Sequence, residues 1–484
     1  MKILLASAEA VPFAKVGGLA DVVPLIARSV TGLGHEVHVV LPLYASIDRT
    51  NLTHCDQPMI VNMGYGIEFC RLWKTTNLGV EFLFIEFDRY FGRAGIYGEN
   101  GEGYRDNWER FSFFSRAAID LCDFTNWIPD VIHSHDWHTG LIPVMLREQR
   151  VYRLSKSASV FTIHNMAHHG YSPRGLLNFV GLPEKLFHPF ALEAFGAINI
   201  MKGAILYADK ITAVSQTYAD EIKTTEHGCG LNDPLMYRAA DLIGICNAVD
   251  SDIWSPKNDP LIPAKFSHNN LAGKGKCKLA LQEKVGLNVD ENILLIGVIS
   301  RLVEQKGLDM VCDILPELLD NLHIQFVLLG AGDSVLEDRF RFYTNNYGGR
   351  VAVKIGYDNS LSHMIEASAD CFLMPSRYEP CGMNQMYSML YGTLPIVHAT
   401  GGLRDTVENY DEQSHIGSGF VFHQLDHRSL YNTVCWACAT YYDRKQDFVA
   451  MQKYAMQKDF SMNKMANAYL KVYEYSLKAH ERSR

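Results

Sequence analysis

The chain is predicted to be α/β, built from two doubly wound parallel sheets in succession. Three observations lead there. First, short apolar β-runs alternate with helical patterns through the first half, and the rhythm resumes at Ile293. Second, 484 residues exceed what one ordinary core accommodates, so two or three domains are expected. Third, two Gly-bearing turns more than 360 residues apart, Lys15-Val16-Gly17-Gly18-Leu19 and Arg377-Tyr378-Glu379-Pro380-Cys381-Gly382, each stand where an apolar run gives way to a helix. That is where α/β sheets bind ligands, so a cleft between two nucleotide-binding-type domains is expected.

The elements follow in order. Lys2–Ser7 reads as the first strand, because Ile3 to Ala6 is the continuous apolar run of a strand covered on both faces. Leu19–Leu33 reads as the next helix, closed by Gly32-Leu33-Gly34. Further strands are predicted at Glu36–Leu41, Phe82–Phe87, Val131–Ser134, Ser159–Ile163 and Lys210–Val214. Asn247 to Asn292, rich in Pro, Asn, Asp and Lys, is the expected linker. Then come a strand Ile293–Ile299, a helix Gly307–Leu319, a strand Ile324–Leu329 and a helix Val335–Asn345. A strand Val351–Ile355, a helix Leu361–Ala367, a strand Cys371–Met374, a helix Gly382–Tyr391 and a strand Leu394–Val397 continue the alternation. A last helix covers roughly Phe460–His480. No solenoid repeat, low-complexity tract or heptad pattern interrupts it.

Composition narrows the function classes. With 48% hydrophobic and 20% charged residues the chain is globular. A net charge of −9 argues against a general nucleic-acid surface. The longest apolar run, Ile293–Ile299, is too short to span a membrane, and the N-terminal run is too short for a signal peptide. Eleven scattered cysteines include one close pair, Cys435 and Cys438, in a helical stretch; buried thiols of a reducing cytoplasm are the expectation.

The chemistry-bearing residues cluster at predicted strand tips. Gly17 and Gly18 open a helix and let a ligand approach the backbone, with Lys15 beside them, which makes an anion cradle. Arg301 and Lys306 share the short loop after Ile293–Ile299, and two fixed cations there can neutralise a diphosphate without a metal. The bland alternative is a surface pair in which Arg301 bridges to Glu304. Glu379, stiffened by Pro380 and followed by Gly382, is expected near a helix's positive end. There it can stabilise a cationic sugar centre or simply act as an N-cap. Thr400-Gly401-Gly402-Leu403 repeats the Gly-Gly-Leu turn, whereas Gly330-Ala331-Gly332-Asp333 reads as an ordinary turn. His133, His135 and His138 with Asp136 are read as a polar cleft wall ahead of a metal site, and His164-Asn165 stands at another strand tip. Tyr90, Phe91, Tyr97 and Tyr104 are candidates to line an acceptor path.

Taken together, Lys15 to Val22, His135 to Thr139, His164-Asn165, Ile245 to Asp250, Ser300-Arg301 with Lys306-Gly307, Pro375 to Gly382 and Thr400 to Leu403 resemble the bacterial glycogen synthase and plant starch synthase family over nearly the whole chain. The resemblance implies a GT-B fold, two Rossmann-like domains facing each other across a cleft. The domains would be 1–246 on the acceptor side and 247–459 for the nucleotide sugar, with helix 460–484 returning to the first. It implies metal-free, cofactor-free, retaining transfer of glucose from ADP-glucose to the non-reducing end of an α-1,4-glucan (glycogen), in the cytoplasm, with no nucleic-acid or membrane partner. By motif, Glu379, His164 and Asp136 would be catalytic. Lys15, Gly17, Gly18, Asp21, Asn165, Asn247, Ser300, Arg301, Lys306, Tyr357, Cys381, Gly382, Gly401, Gly402 and Leu403 would bind substrate. The second glutamate of a Glu-x7-Glu motif, which binds ribose in some relatives, is Tyr387 here, so that contact is not carried over. Rival classes are a UDP-glucose transferase of the same fold, an inactive glucan-binding protein, and a nicotinamide oxidoreductase. The last lacks a GxGxxG after the first strand.

Overall fold

The computed structural model describes residues 1–99, 101–149 and 152–483. Its contacts divide the chain into two units, Met1–Ala248 with Met462–Arg484, and Val249–Ser461.

In the first unit seven parallel strands run in the order Leu242–Gly244, Lys210–Ala213, Ala158–Ile163, Val131–His135, Lys2–Ala6, Glu36–Pro42 and Val80–Glu86. Antiparallel Gly66–Asn77 extends the sheet from Val80–Glu86 and carries Thr53–His54 and Met59–Met63. Ile3 to Ala6 are fully buried, as a strand covered on both faces requires. From Lys2–Ala6 the chain moves to one neighbour, Glu36–Pro42, and only later reaches the other, Val131–His135. The strand order therefore reverses at Lys2–Ala6, and a crevice opens outside the carboxyl ends there. The helix Met462–Ser483 packs its Tyr469, Val472 and Tyr473 face into this unit's core.

The second unit is one six-stranded parallel sheet ordered Val351–Ile355, Ile324–Gly330, Leu294–Ile299, Cys371–Met374, Leu394–His398 and Phe420–Phe422. Its reversal lies between Leu294–Ile299 and Cys371–Met374. The loops after these two strands carry Ser300 to Lys306 and Pro375 to Gly382. Neighbouring strand tips thus bring together residues that the sequence separates by about 75 positions.

The expected linker contains a helix. Ala272–Val285 is a 14-residue helix whose inner face buries Lys274, Cys277, Lys278, Leu281 and Gln282. Three of those five side chains are polar, so no apolar stripe marks the helix. Lys278 Nζ donates to Asp370 Oδ2 at 2.6 Å and to the Glu291 carbonyl at 2.8 Å. Removing one partner of a buried ion pair strands the other charge. Lys278→Met is therefore expected to cost about 3–5 kcal/mol of stability, read as a lower denaturation midpoint in guanidinium; an unchanged midpoint would show that the pair holds nothing.

Candidate active site

In the second unit, Ser300, Arg301, Lys306, Ser376, Glu379, Gly382 and Asn384 line a cavity of about 200 Å³ with an apolar floor from Ile299, Leu373 and Met374. Glu379 is 5% exposed. Its Oε2 accepts from Lys306 Nζ at 2.6 Å and from Ser376 Oγ at 2.9 Å, while its Oε1 takes no bond among the described residues. Arg301 is exposed and makes no ion pair among the described residues, so it does not bridge to Glu304. The neighbouring guanidinium, Arg377, is committed elsewhere: it grips Asp309 at 2.8 and 2.6 Å. Of the two loop arginines, only Arg301 is left facing the cavity.

The glycines are there because the chain crosses itself. Gly401 has φ +44°, and a Cβ would lie 2.0 Å from the Glu379 carbonyl oxygen. The Gly402 amide donates to that same carbonyl at 3.1 Å, tying the Thr400–Leu403 turn to the Glu379 backbone. Cys381 and Leu403 are buried, and the Cys381 backbone lies against Gly402, where a Cβ would meet its carbonyl oxygen at 2.1 Å. Gly382 has φ +72°. Tyr357 follows Gly356 at the tip of Val351–Ile355, is 80% exposed, and bonds Asn359; it does not line the cavity. Tyr387 stacks on Trp254 at 3.9 Å, with His363 stacked on the same ring at 3.9 Å.

In the first unit the strand tips bring Asp136, His164 and Asn165 together. Asp136 has φ +54°, a strained conformation for a non-glycine residue. Its Oδ1 accepts from the His164 amide at 2.8 Å and the Asn165 amide at 3.4 Å. Burial pushes its carboxyl up to about 7. His164 Nε2 meets His135 Nδ1 at 3.0 Å, and burial lowers His164 to about 3, so the ring is neutral at physiological pH. His133 uses both ring nitrogens, on Tyr473 OH at 3.0 Å and Thr162 Oγ1 at 2.6 Å, and is a fixed core residue. Among the described residues no group of three or more His, Cys, Asp or Glu side chains is arranged to hold a metal ion. Asn247 is buried and its Oδ1 has no hydrogen-bond partner among the described residues.

The raised Asp136 carboxyl gives a signed expectation. Between about pH 4, its ordinary range, and about pH 7, the native state holds a proton that the unfolded state has lost, so this group's contribution to stability falls as pH rises. Asp136→Asn lacks that penalty. The variant should gain on the wild type from pH 4 to 7 and hold a constant difference above it in thermal melts. A gap independent of pH would contradict this.

Lys15 Nζ pairs with Asp21 Oδ1 at 2.8 Å on the turn that opens the helix Leu19–Gly32. The Gly17 amide, expected to face an anion, is donated to Glu9 Oε2 at 2.9 Å. Glu9 was missed in the sequence; its place three residues beyond the apolar run Ile3–Ala6, at a strand tip, was the available signal. Tyr90 and Phe91 are 1% and 0% exposed and sit in the core, so they do not line an acceptor path. Gly332-Asp333 is a helix cap, with Asp333 accepting from the Val335 and Leu336 amides.

Two Rossmann-like units in one chain, the second with Arg301 and the Lys306–Glu379 ion pair at its switch point, are the make-up of a GT-B glycosyltransferase. Comparison with known proteins narrows the class. Residues 2–237 match the starch synthase catalytic domain, and residues 279–446 match glycosyl transferases group 1. Glycogen synthase 1 of Geobacter sulfurreducens is 43% identical, over 98% of this chain and 96% of its own. The glycogen synthase of Treponema denticola is 42% identical, over 98% of each. The solved catalytic domain of starch synthase IV from Arabidopsis thaliana, bound to ADP and acarbose, is 32% identical with a TM-score of 0.90 over 99% of each chain. The chain belongs to the glycogen and starch synthase family, and it is a glycosyltransferase.

Proposed function

We propose that this enzyme transfers glucose from ADP-glucose to the non-reducing end of an α-1,4-glucan, with retention of the anomeric configuration and without a metal. The observation that carries this reading is the cavity of the second unit, where Arg301, Lys306 and Glu379 converge. Its roughly 200 Å³ is below the about 300–1,000 Å³ of a site that holds a whole drug-sized ligand. It suits a diphosphate with part of a sugar.

Cleavage of the donor leaves negative charge on the diphosphate and positive charge at the anomeric carbon. Arg301 and Lys306 supply fixed cations for the first. The Glu379 carboxylate, with Oε1 open, supplies the counter-charge for the second. Lys306 shares its charge with Glu379 at 2.6 Å, which holds both groups in one geometry before the reaction begins. Ser300 and the backbone at Cys381, Gly382 and Gly401 to Leu403 complete the donor contacts, and Tyr357 offers a ring to the base. From the first unit, Lys15 and the Gly18 amide serve the phosphates, Gly17 leaves the backbone bare beside them with its own amide held by Glu9, and Asp21 holds Lys15 in place, while Asp136, His164, Asn165 and Asn247 serve the glucosyl group. The unpartnered buried Asn247 Oδ1 supports that role, since such atoms ordinarily have a partner. Neutral His164 can donate or accept a hydrogen bond without adding charge beside the sugar. Names among the relatives support the glucan acceptor, and the ADP bound to the plant structure supports the donor.

A donor panel with glycogen as acceptor, with and without chelator, tests the reading. Incorporation from ADP-glucose well above UDP-glucose and unaffected by chelator is expected. Preference for UDP-glucose, or loss of activity with chelator, would overturn it.

A further inference from the structure

The turn Lys15–Gly18 is exposed, yet its shape is set from inside the protein. Glu9 is 3% exposed. Its Oε2 accepts from the amides of Val16 at 2.5 Å and Gly17 at 2.9 Å, and its Oε1 accepts from Tyr97 OH at 2.5 Å. Among the described residues these are the only hydrogen bonds donated by the amides of Lys15 to Gly18. Glu9 is itself pinned: Ser7 Oγ donates to its carbonyl at 2.7 Å, and Tyr44 OH donates to the adjacent Ala8 carbonyl at 2.9 Å. No cation pairs with the Glu9 carboxylate among the described residues; two backbone amides and a phenol satisfy it. Successive backbone N–H groups converging on one oxygen form an anion-binding concavity. Here the occupant is the chain's own carboxylate.

We infer that Glu9 is a positioning residue for the transfer reaction. By filling the concavity at Val16 and Gly17 it curls the turn, so that Lys15 and the amides of Gly18 and Leu19, which donate to nothing among the described residues, are presented together to an anion. Tyr97 sets the opposite carboxylate oxygen and stacks on His138 at 4.8 Å, which ties the arrangement to the segment after Val131–His135. A nucleotide sugar's phosphates therefore meet a preformed turn and need not order it. This inference rests on the donor reading of Lys15 and adds a residue that does not itself touch substrate.

The test is a double-mutant cycle on the full chain, with kcat and KM measured separately for ADP-glucose and glycogen, and thermal melts alongside. Glu9→Ala is expected to lower kcat/KM for the donor about 10- to 100-fold, the scale of one or two lost charge-assisted bonds, with the glycogen KM unchanged. Glu9→Gln keeps an oxygen that can accept both amides, so most of the loss should be recovered. Because Glu9 acts through the Lys15 turn, adding Lys15→Gln to Glu9→Ala should cost far less than the product of the two single losses. Multiplicative losses, or equal losses in Ala and Gln that follow the melting temperature, would reduce Glu9 to a structural role and overturn the inference. An unchanged Glu9→Ala beside a weakened Lys15→Gln would overturn it alone. An unchanged Lys15→Gln would instead sink the phosphate role of Lys15 and, with it, the route by which Glu9 acts.

Discussion

Glu379→Ala is expected to lower kcat by about 10²- to 10³-fold, the loss typical when one preorganised charge-stabilising group is removed from an active site. The carboxylate is buried in the cavity wall, held by Lys306 and Ser376 on one oxygen and open on the other. Alanine removes the counter-charge for the sugar and also frees Lys306. Glu379→Gln separates the two effects: it keeps shape and hydrogen bonding but not charge. If charge at the anomeric centre is what matters, Gln should be nearly as poor as Ala in kcat, with the donor KM changed by less than tenfold. Full turnover in Gln would assign Glu379 to hydroxyl recognition only, and full turnover in Ala would remove it from the reaction.

Arg301→Ala is expected to lower kcat/KM for the donor by about 30- to 150-fold, roughly 2–3 kcal/mol, as for a lost charge-assisted contact. Arg301 has no competing ion pair among the described residues, so its full charge is available to a ligand, unlike Arg377, which Asp309 neutralises. Arg301→Lys should recover only part, because an ammonium cannot reproduce the planar fork. Initial rates against donor concentration, at fixed saturating glycogen, read this directly. The loss should appear in the donor parameters with the glycogen KM unmoved; a change confined to glycogen would reassign the residue to the acceptor.

The sequence showed the parts with a strong local signature. Ile3 to Ala6 and Leu294 to Val298 are buried apolar runs, and both strands were placed within a residue of their observed ends. Motif loops were legible because Gly and Pro mark chain reversals. Other features depend on tertiary contacts that no local window carries. The helix Ala272–Val285 turns Lys274 and Lys278 inward, so its polar face read as linker. Lys274 Nζ donates to the Ala367 and Tyr391 carbonyls and Thr393 Oγ1, all more than 90 residues away. The short strand Leu242–Gly244 is half-buried and ends in glycine, which gives little apolar signal. Tyr90 and Phe91 looked like exposed aromatics among glycines, but they anchor a cluster with Phe113, Phe111 and Phe114. Arg301, Lys306 and Glu379, singled out by their strand-tip positions, line one cavity, whereas the commitment of Arg377 to Asp309 and of the Gly17 amide to Glu9 depends on contacts between distant segments that no local pattern marks.

The anomeric and linkage analysis of the product is the most direct measurement. A maltooligosaccharide acceptor incubated with ADP-glucose labelled in the glucosyl group should lengthen by single residues, and NMR of the product should show label in a new α-1,4-linked unit at the non-reducing end. A β-linked unit, label at the reducing end, or release of labelled glucose in place of chain growth would contradict retaining transfer to a glucan.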